Sequence, residues 1–289
     1  MIKRLIALLF LFWIIIHGCL IVVCHSGKND LVIWLKFDGN LRDSSGNGHH
    51  GEARGIVRFA EGRKGKAILL DDKGYVYVRD APDFSIVNNP NGMTISFWIC
   101  PSTHSFKTQN EYGYIRFLGK GDTGQYEWCF SLYNGSHPER PYRLCFYIHN
   151  ASGGYGIGAY VQEPWDVGEW IFVTGVIKNN VLYIYKNGVF KRQSYNYSEP
   201  NPIGIIIPQD TSSPLCIGTR MDVNEFFEGK IDDFRIYNRA LSDQEIYDLF
   251  QSYFVPDPIE EARDWMVYGF VALILIALGM SIFYRMWKA

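Results

Sequence analysis

Short stretches in which apolar and polar residues alternate recur along the middle of the chain, and a period of two is typical of β-strands. The clearest is Met93–Cys100, in which every second residue from Met93 to Ile99 is apolar. Tight-turn dipeptides such as Asn187-Gly188 separate neighbouring stretches, as in β-hairpins. About a dozen short strands with hairpin turns predict an all-β fold of two packed antiparallel sheets, a jelly-roll sandwich.

The stretch Gly229–Ser242 begins with a strand pattern that has apolar groups on both faces. Alternation places Ile231, Asp233, Arg235 and Tyr237 on one face and Asp232, Phe234 and Ile236 on the other. This strand is therefore predicted to be central and buried on both sides. A buried aspartate needs a partner, because an unpaired charge inside a protein is costly or shifts its pKa. A cation or neighbouring backbone N–H groups are the candidates.

A capping box, formed by Ser242 and Glu245, follows this strand and predicts the start of a helix. An apolar stripe at helical spacing continues through Ile246, Leu249, Phe250 and Phe254. Pro256 and Pro258 end the pattern. We expect this short C-terminal helix to cover an edge or an end of the sandwich.

Both ends of the chain carry long apolar segments. Residues 1–26 have a basic pair, Lys3-Arg4, near their start and continue with mainly apolar residues from Leu5 to Val23. This pattern predicts a signal peptide, or an N-terminal membrane anchor if the segment is retained. Trp265–Tyr284 is an apolar run of about 20 residues, long enough for a transmembrane helix.

These terminal hydrophobic helices set the expected position of everything between them. Basic residues lie at the start of the chain and again after residue 284, so the positive-inside rule places both ends in the cytoplasm. The main domain, residues 29–253, is then extracellular. A juxtamembrane linker (254–264), the transmembrane helix (265–284) and a cytoplasmic tail (285–289) follow. The expected location is the cell membrane, with the membrane as one partner.

The balance of charges in the sequence bears on whether the protein binds nucleic acid. The chain has 28 Lys and Arg against 30 Asp and Glu, a formal net charge of -2. A nucleic-acid partner is not expected, because binding to phosphates requires a strongly basic surface.

Four cysteines fall within the main domain: Cys100, Cys129, Cys145 and Cys216. An extracellular location permits disulfides. Cys129 and Cys145 flank a predicted hairpin that would place them directly opposite each other, which allows a bridge and leaves Cys100–Cys216 as the second pair. Four buried free thiols are the alternative, since a sequence does not fix connectivity.

Six pieces of the chain carry a resemblance to a known family. They are WLKFDGNLRDSSGNGHHG at Trp34–Gly51, MTISFWI at Met93–Ile99, GEWIFVT at Gly168–Thr174, VLYIYKNGVF at Val181–Phe190, LCIG at Leu215–Gly218 and GKIDDFRIYNRALS at Gly229–Ser242. In this order they resemble laminin-G-like, concanavalin A-type jelly rolls, between about Leu31 and Tyr253. The resemblance implies the sandwich fold, and glycans or surface proteins as ligands.

The same fold hosts glucanases, and retaining glycosidases need two carboxyl groups ~5–5.5 Å apart. The glucanase relatives carry an E-x-D-x-x-E signature on a strand, and no predicted strand here has such a run. Glu127 stands alone, while Glu163, Asp166 and Glu169 surround a loop as solvated acids. We therefore expect a non-catalytic binding module. The alternatives are a hydrolase acting on envelope polysaccharide and a purely structural surface subunit.

Aromatic side chains are the remaining candidates for ligand contact, because flat rings suit sugar stacking or protein contact. They are Tyr112, Tyr114, Tyr126, Trp128, Tyr133, Tyr155, Tyr160 and Trp165. At half of these positions or more, ordinary packing within the sheets is the competing explanation.

The resemblance also implies a structural calcium ion, because this family often holds a cation between its first loop and its closing strand. Asp38 ends the first strand, Asn47 lies in the polar loop that follows, and Asp232 matches the aspartate of the closing strand. These residues offer the hard oxygen ligands that Ca²⁺ requires. In the alternative, backbone amides satisfy Asp232 and Asp38 only caps a turn.

Overall fold

Two antiparallel sheets build the fold in this computed structural model, which describes residues 30–71, 73–151, 155–220, 224–255 and 269. The predicted signal peptide or anchor and the cytoplasmic tail lie outside these residues, as does nearly all of the predicted linker and transmembrane helix. Within the described part, no helix combines the length and the apolar character needed to cross a membrane.

The strands form an eight-stranded and a seven-stranded sheet. In spatial order the eight-stranded sheet contains β13 (Val189–Gln193), β12 (Val181–Lys186), β11 (Ile171–Lys178), β6 (Met93–Pro101), β15 (Gly229–Tyr237), β4 (Lys66–Leu70) and β3 (Arg58–Glu61), with β1 (Leu31–Leu35) also paired to β15. The seven-stranded sheet contains β10 (Ile157–Gln162), β9 (Arg143–Ile148), β8 (Gln125–Tyr133), β7 (Tyr114–Asp122), β14 (Leu215–Ile217), β5 (Tyr75–Val78) and β2 (Gly51–Arg54). Two 3₁₀ turns, Pro82–Phe84 and Ile86–Asn88, follow β5, and a helix α1 (Asp243–Gln251) follows β15. The predicted all-β sandwich with a short C-terminal helix is confirmed.

The core lies between the two sheets and is filled mainly by alternate residues of the inner strands, whereas the edge strands β2, β3 and β13 contribute none. The predicted apolar face of β6 is fully buried there. Phe97 of β6 meets Phe130 of β8 edge to face, with ring centroids 4.9 Å apart. Phe130 stacks on Phe146 of β9 at 4.7 Å. The first contact joins the two sheets and the second lies within the seven-stranded sheet. Because aromatic rings bury large apolar areas, such contacts contribute much of the stability of the domain.

The closing strand β15 is central, as predicted. It pairs with β6 on one side and with β4 and β1 on the other. The predicted assignment of its faces is wrong, because Asp233 forms a bulge with φ of 49°. The extra residue places Ile231, not Asp232, on the inward face with Phe234 and Ile236. A bulge shifts the alternation by one position, and a regular pattern does not anticipate it.

The predicted capping box is also present. Ser242 Oγ accepts a hydrogen bond from the backbone N–H of Glu245, and Glu245 Oε2 accepts one from that of Ser242 at 2.8 Å. The helix lies on the outer face of the eight-stranded sheet, where Ile246 packs with Val176 and Tyr185. The helix contacts the edge strand β13, as expected, and it also covers the adjoining apolar part of this outer face.

All four cysteines of the domain are free thiols. The β8–β9 register places Cys145 opposite Ser131, two positions from Cys129, so the two cysteines do not face each other as predicted. Cys100 and Cys216 alternate with core residues of different sheets, and each faces outward. Packed sheets lie ~10 Å apart, whereas a disulfide requires Cα atoms within about 7 Å. Of the two alternatives left open by the sequence, the structure has the free thiols and not the Cys100–Cys216 pair.

Candidate ligand-binding pocket

A pocket of about 820 Å³ opens on the outer face of the seven-stranded sheet. Its lining comprises Tyr112, Tyr114, Arg116, Cys129, Ser131, Tyr133, His137, Glu139, Arg140, Arg143, Cys145, Tyr147, His149, Tyr155, Gly156, Gly158 and Ile203. Strands β7 to β10 supply most of these residues. The volume falls in the range of small-molecule sites, which is about 300–1,000 Å³.

The hollow exists because small residues take the outward positions of the middle strands. β8 turns Phe130 into the core, so its neighbours Cys129 and Ser131 face outward. β9 presents Cys145 in the same way, and Gly158 of β10 lies beside it. A Cβ atom added at Gly158 would be 2.8 Å from the Cys145 Sγ. Larger side chains at these positions would fill the floor of the pocket.

A row of tyrosine rings borders this floor. The ring centroids of Tyr112 and Tyr114 are 6.4 Å apart with nearly parallel planes, and those of Tyr114 and Tyr133 are 4.7 Å apart. Tyr112 and Tyr155 leave 64% and 83% of their surface exposed. Exposed, aligned rings of this kind offer flat faces to a ligand.

Arg116 is held in the pocket by a carboxylate that lies behind it. Its Nε and Nη2 donate to the two oxygens of Glu225, and its backbone N–H also donates to Oε2 at 2.7 Å. The amide of Asn110 donates to Oε1 at 3.0 Å. Burial alone would lower the pKa of Arg116, but the hydrogen bonds and charge of Glu225 outweigh it and raise that pKa. The charge of Arg116 is thus compensated within the protein.

Two further arginines line the pocket without a carboxylate bonded to them in the described part of the chain. Arg140 Nη1 donates to the Tyr133 hydroxyl at 3.3 Å. Arg143 donates from Nε and Nη2 to one oxygen of Gln162, at 3.1 and 2.8 Å. Its guanidinium also lies 4.0 Å from the ring centroid of Tyr160. The hydrogen-bond acceptors of both arginines are therefore neutral groups.

His149 gives the pocket a neutral imidazole. Burial, followed by the positive charge of Arg220, lowers the pKa of His149 to about 3. Arg220 Nη1 lies 2.7 Å from His149 Nε2, and this contact requires the imidazole nitrogen to accept. The ring of Tyr126 lies 4.7 Å from the Arg220 guanidinium. The imidazole of His149 is therefore uncharged throughout the physiological pH range.

The pocket contains half of the predicted aromatic residues: Tyr112, Tyr114, Tyr133 and Tyr155. Trp128 and Trp165 are buried in the core, and Tyr126 and Tyr160 lie beneath arginines at the margin. Sequence reasoning missed the arginines and Glu225. Arg143 lies at the start of a predicted hairpin strand. Alternation along that strand places its side chain on the outer face opposite Tyr133, and this is the signal that could have indicated Arg143 as a pocket residue.

The predicted lone acids lie elsewhere. Glu127 is buried, where its Oε1 accepts hydrogen bonds from Lys120 Nζ and Thr211, and burial raises its pKa. Glu163 pairs with two lysines, and Glu169 accepts a hydrogen bond from the backbone of Asp166 within a turn. None of these four acids lines the pocket, and among its lining residues Glu139 is the one carboxylate.

Two of the three predicted metal ligands meet at the turn between β3 and β4. Asp38 Oδ1 accepts the backbone N–H of Lys66, and Asp232 Oδ2 accepts that of Arg63, both at 2.8 Å. Asp232 Oδ1 is buried without a hydrogen-bond partner among the described residues. Burial, with the nearby charge of Asp233, raises the pKa of Asp232 to about 7. A carboxylate oxygen left in this way suits either a proton or a cation.

Asn47 lies at the other end of β1. Its Nδ2 donates to the carbonyl oxygens of Leu31 and Val32, at 2.9 and 2.8 Å. In the described ranges no three His, Cys, Asp or Glu side chains form a cluster that could hold a metal ion. A calcium ion beside Asp38 and Asp232 would therefore take its other ligands from neutral oxygens or water.

The fold and pocket can now be set beside known proteins. Residues 70–247 match the family of laminin G type described as the concanavalin A-like lectin/glucanases superfamily. The match covers more than half of the chain, and this protein belongs to that family. No protein of curated function matches the sequence.

Several solved structures share the fold. Domain 4 of AbnA, a GH43 extracellular arabinanase from Geobacillus stearothermophilus in complex with arabinotriose, is 22% identical with a TM-score of 0.55, and the match covers 76% of this chain and 98% of that one. The binding domain of Paraclostridial Mosquitocidal Protein 1 is 22% identical with a TM-score of 0.58, over 78% of this chain and 53% of that one. The ligand binding domain of botulinum neurotoxin serotype D, in complex with N-acetylneuraminic acid, is 18% identical with a TM-score of 0.55, over 78% and 51%. This chain thus spans about half of the two toxin domains, and the likeness shows the shared fold.

Proposed function

We propose that this protein is a non-catalytic binding module that recognises glycans through the pocket on its seven-stranded sheet. The carrying observation is the row formed by Tyr112, Tyr114 and Tyr133 beside a hollow floored by small residues. Sugar rings stack their apolar faces on such aromatic rings, while nearby polar groups such as Ser131 bind the hydroxyls.

Two of the similar structures support a sugar ligand. The arabinanase domain holds arabinotriose, and the serotype D domain holds N-acetylneuraminic acid. The mosquitocidal protein contributes a domain that is itself named for binding. The arabinanase domain is matched over 98% of its length, whereas the two toxin domains are matched over about half, so the arabinanase domain gives the stronger support.

A hydrolase of envelope polysaccharide is the first alternative. A retaining or inverting glycosidase uses two carboxyl groups on either side of the scissile bond. Glu139 is the one carboxylate among the lining residues, and Glu225 behind them is engaged by Arg116. This set of side chains favours binding over hydrolysis. In the second alternative, a structural surface subunit, the pocket would bind no sugar.

Tethering to the cell membrane, with the sandwich outside, completes the proposal. It rests on the apolar segments at residues 1–26 and 265–284 and on the basic residues that flank them. Protease added to intact cells should release the sandwich and leave a small C-terminal fragment. A sandwich that is protected until the cells are lysed would contradict this orientation.

The decisive experiment applies the full-length protein, in detergent, to an array of neutral and acidic glycans and to an assay for released reducing sugar. We expect binding without release, and a Tyr114→Ala variant should lose about two- to tenfold in affinity, since stacking on one ring contributes about 0.5–1.5 kcal/mol. Tyr247→Ala, on the exposed side of α1, is the matched control. Release of reducing sugar would favour the hydrolase, and an array without any bound glycan would favour the structural subunit.

A structural calcium ion beside Asp38 and Asp232 is a second proposal. The buried, unpartnered Oδ1 of Asp232 supports it, and a cation there would join the start of the sandwich to its closing strand. Asn47 as a ligand stays a prediction. Calcium should raise the melting temperature relative to chelator in the wild type, and Asp232→Asn should abolish that difference. Identical melting of the wild type with calcium and with chelator would overturn the proposal.

A further inference from the structure

We propose that the pocket selects glycans that carry an anionic group, a carboxylate or a sulfate, and that Arg143 binds this group. The inference rests on the proposed glycan-binding function and names the class of sugar. The arginines of the lining differ in whether a carboxylate compensates their charge.

The charges of the lining residues leave an excess of positive charge beside β9. Arg116 is compensated by two hydrogen bonds to Glu225. Arg140 follows Glu139 directly in sequence, and this carboxylate offsets part of its charge. Arg143 instead donates to the neutral amide of Gln162. Among the described ion pairs none includes Arg143, so its charge is available to a ligand.

A second arginine adds to this excess. Arg192 of β13 lies 4.0 Å from the ring centroid of Tyr160, and so does Arg143. The two guanidinium groups are therefore within about 8 Å of each other, a distance at which like charges repel. Arg192 also lacks an ion pair with any described residue. A bound anion would relieve this repulsion, which a neutral sugar cannot do.

Arg143 is also held in the geometry that binding requires. Its Nε and Nη2 are fixed on Gln162, and its plane lies over Tyr160. No hydrogen bond among the described residues uses its Nη1, and the side chain is only partly buried. An arginine whose position is fixed loses little conformational entropy when it binds an oxyanion. Charge-assisted hydrogen bonds of this kind are about twice as strong as neutral ones.

The aromatic row places a sugar within reach of this group. The Arg143 guanidinium is 5.9 Å from the ring centroid of Tyr133, which is the inner ring of the row. Tyr133 itself is 9% exposed, so a sugar would stack on the outer rings, Tyr112 and Tyr114, and direct a substituent on its edge past Tyr133 toward Arg143. A carboxylate or sulfate at that edge meets the positive charge.

The test uses matched pairs of probes with the full-length protein in detergent. 3′-Sialyllactose and 3′-sulfolactose are compared with lactose, and an oligogalacturonide is compared with its methyl ester. We expect at least one acidic probe to bind about tenfold or more tightly than its neutral partner, with an affinity that falls as salt is added. The sialylated and galacturonide arms report a carboxylate, and the sulfated arm reports a sulfate.

Substitutions then assign the effect to Arg143. Arg143→Gln should lose about tenfold or more in affinity for the acidic probe and leave the neutral probe unchanged, while Arg143→Lys should recover part of the loss. Arg54→Gln removes a positive charge from β2, outside the pocket lining, and should change neither. Equal binding of acidic and neutral probes by the wild type overturns this inference and leaves glycan binding intact. Failure of every sugar on the probe panel and the array overturns the proposed function and this inference with it.

Discussion

The substitution Glu225→Gln tests how the pocket wall is stabilised. The side chain of Glu225 is 5% exposed, and that of its partner Arg116 is 22% exposed. Removing one member of a buried ion pair costs about 3–5 kcal/mol, because the other charge is left buried without its partner. Water reaches part of Arg116, so we expect about 2–3 kcal/mol here. For a domain of this size, each kcal/mol lowers the melting temperature by about 2–4 °C.

The expected decrease in melting temperature is therefore about 4–12 °C, measured by scanning calorimetry or circular dichroism. Glu139→Gln is the matched control, because it removes a carboxylate from the same pocket that forms no ion pair with any described residue. An exposed group of this kind should change the free energy of unfolding by less than about 0.5 kcal/mol. If the two variants melt at the same temperature, Glu225 does not stabilise the wall through Arg116.

Three further predictions follow from the geometry. Ser242→Ala removes the capping box of α1 and should lower the free energy of unfolding by about 1 kcal/mol in urea titrations, whereas Ser242→Asp should retain most of it. Native His149 has a pKa of about 3, so below about pH 6.5 the unfolded state binds a proton that the native state does not. Between pH 6 and 4 the free energy of unfolding of the wild type should therefore fall by up to about 1.4 kcal/mol per pH unit more than that of His149→Gln. Parallel pH profiles for the two proteins would contradict this. Cys100 and Cys216 are buried outside the pocket and should react with a thiol reagent only after denaturation, whereas Cys145, which lines the pocket, should be accessible in the native protein. A reductant should leave the melting temperature unchanged; a shift with reductant would indicate a bridge among Cys100, Cys129, Cys145 and Cys216.

The architecture could be predicted because it depends on local chemistry. Alternation identified β6, and the paired signals of Ser242 and Glu245 identified the start of α1. The phase of β15 could not be predicted: aspartate is one of the few residue types that adopt a left-handed backbone, but most aspartates in strands do not, so Asp233 does not by itself mark a bulge. The edge that α1 covers was expected, but its extension over the outer face of the eight-stranded sheet was not, because it depends on which outer face of the sandwich lacks a cover.

The pocket was predicted only in its aromatic part. Tyrosines are conspicuous in a sequence, whereas the arginines of the pocket are single residues on separate strands. Arg116 and Glu225 are 109 positions apart, and their pairing depends on a loop that returns to β7. The free thiols of Cys129 and Cys145 likewise depend on a register offset of two residues, which hairpin spacing alone does not fix.

The pairing of β1 with β15 determines when the domain can finish folding. Trp34 Nε1 donates to Asp233 Oδ1 across 199 positions, so an early strand finds its partner among the last to be synthesised. Closing so long a loop is entropically costly, and folds dominated by such distant pairs form slowly. A chain threaded through an export channel, as proposed here, must stay unfolded during passage. In this topology β1 cannot pair until β15 has been exported, so the sheet is completed only after almost the entire sandwich has emerged.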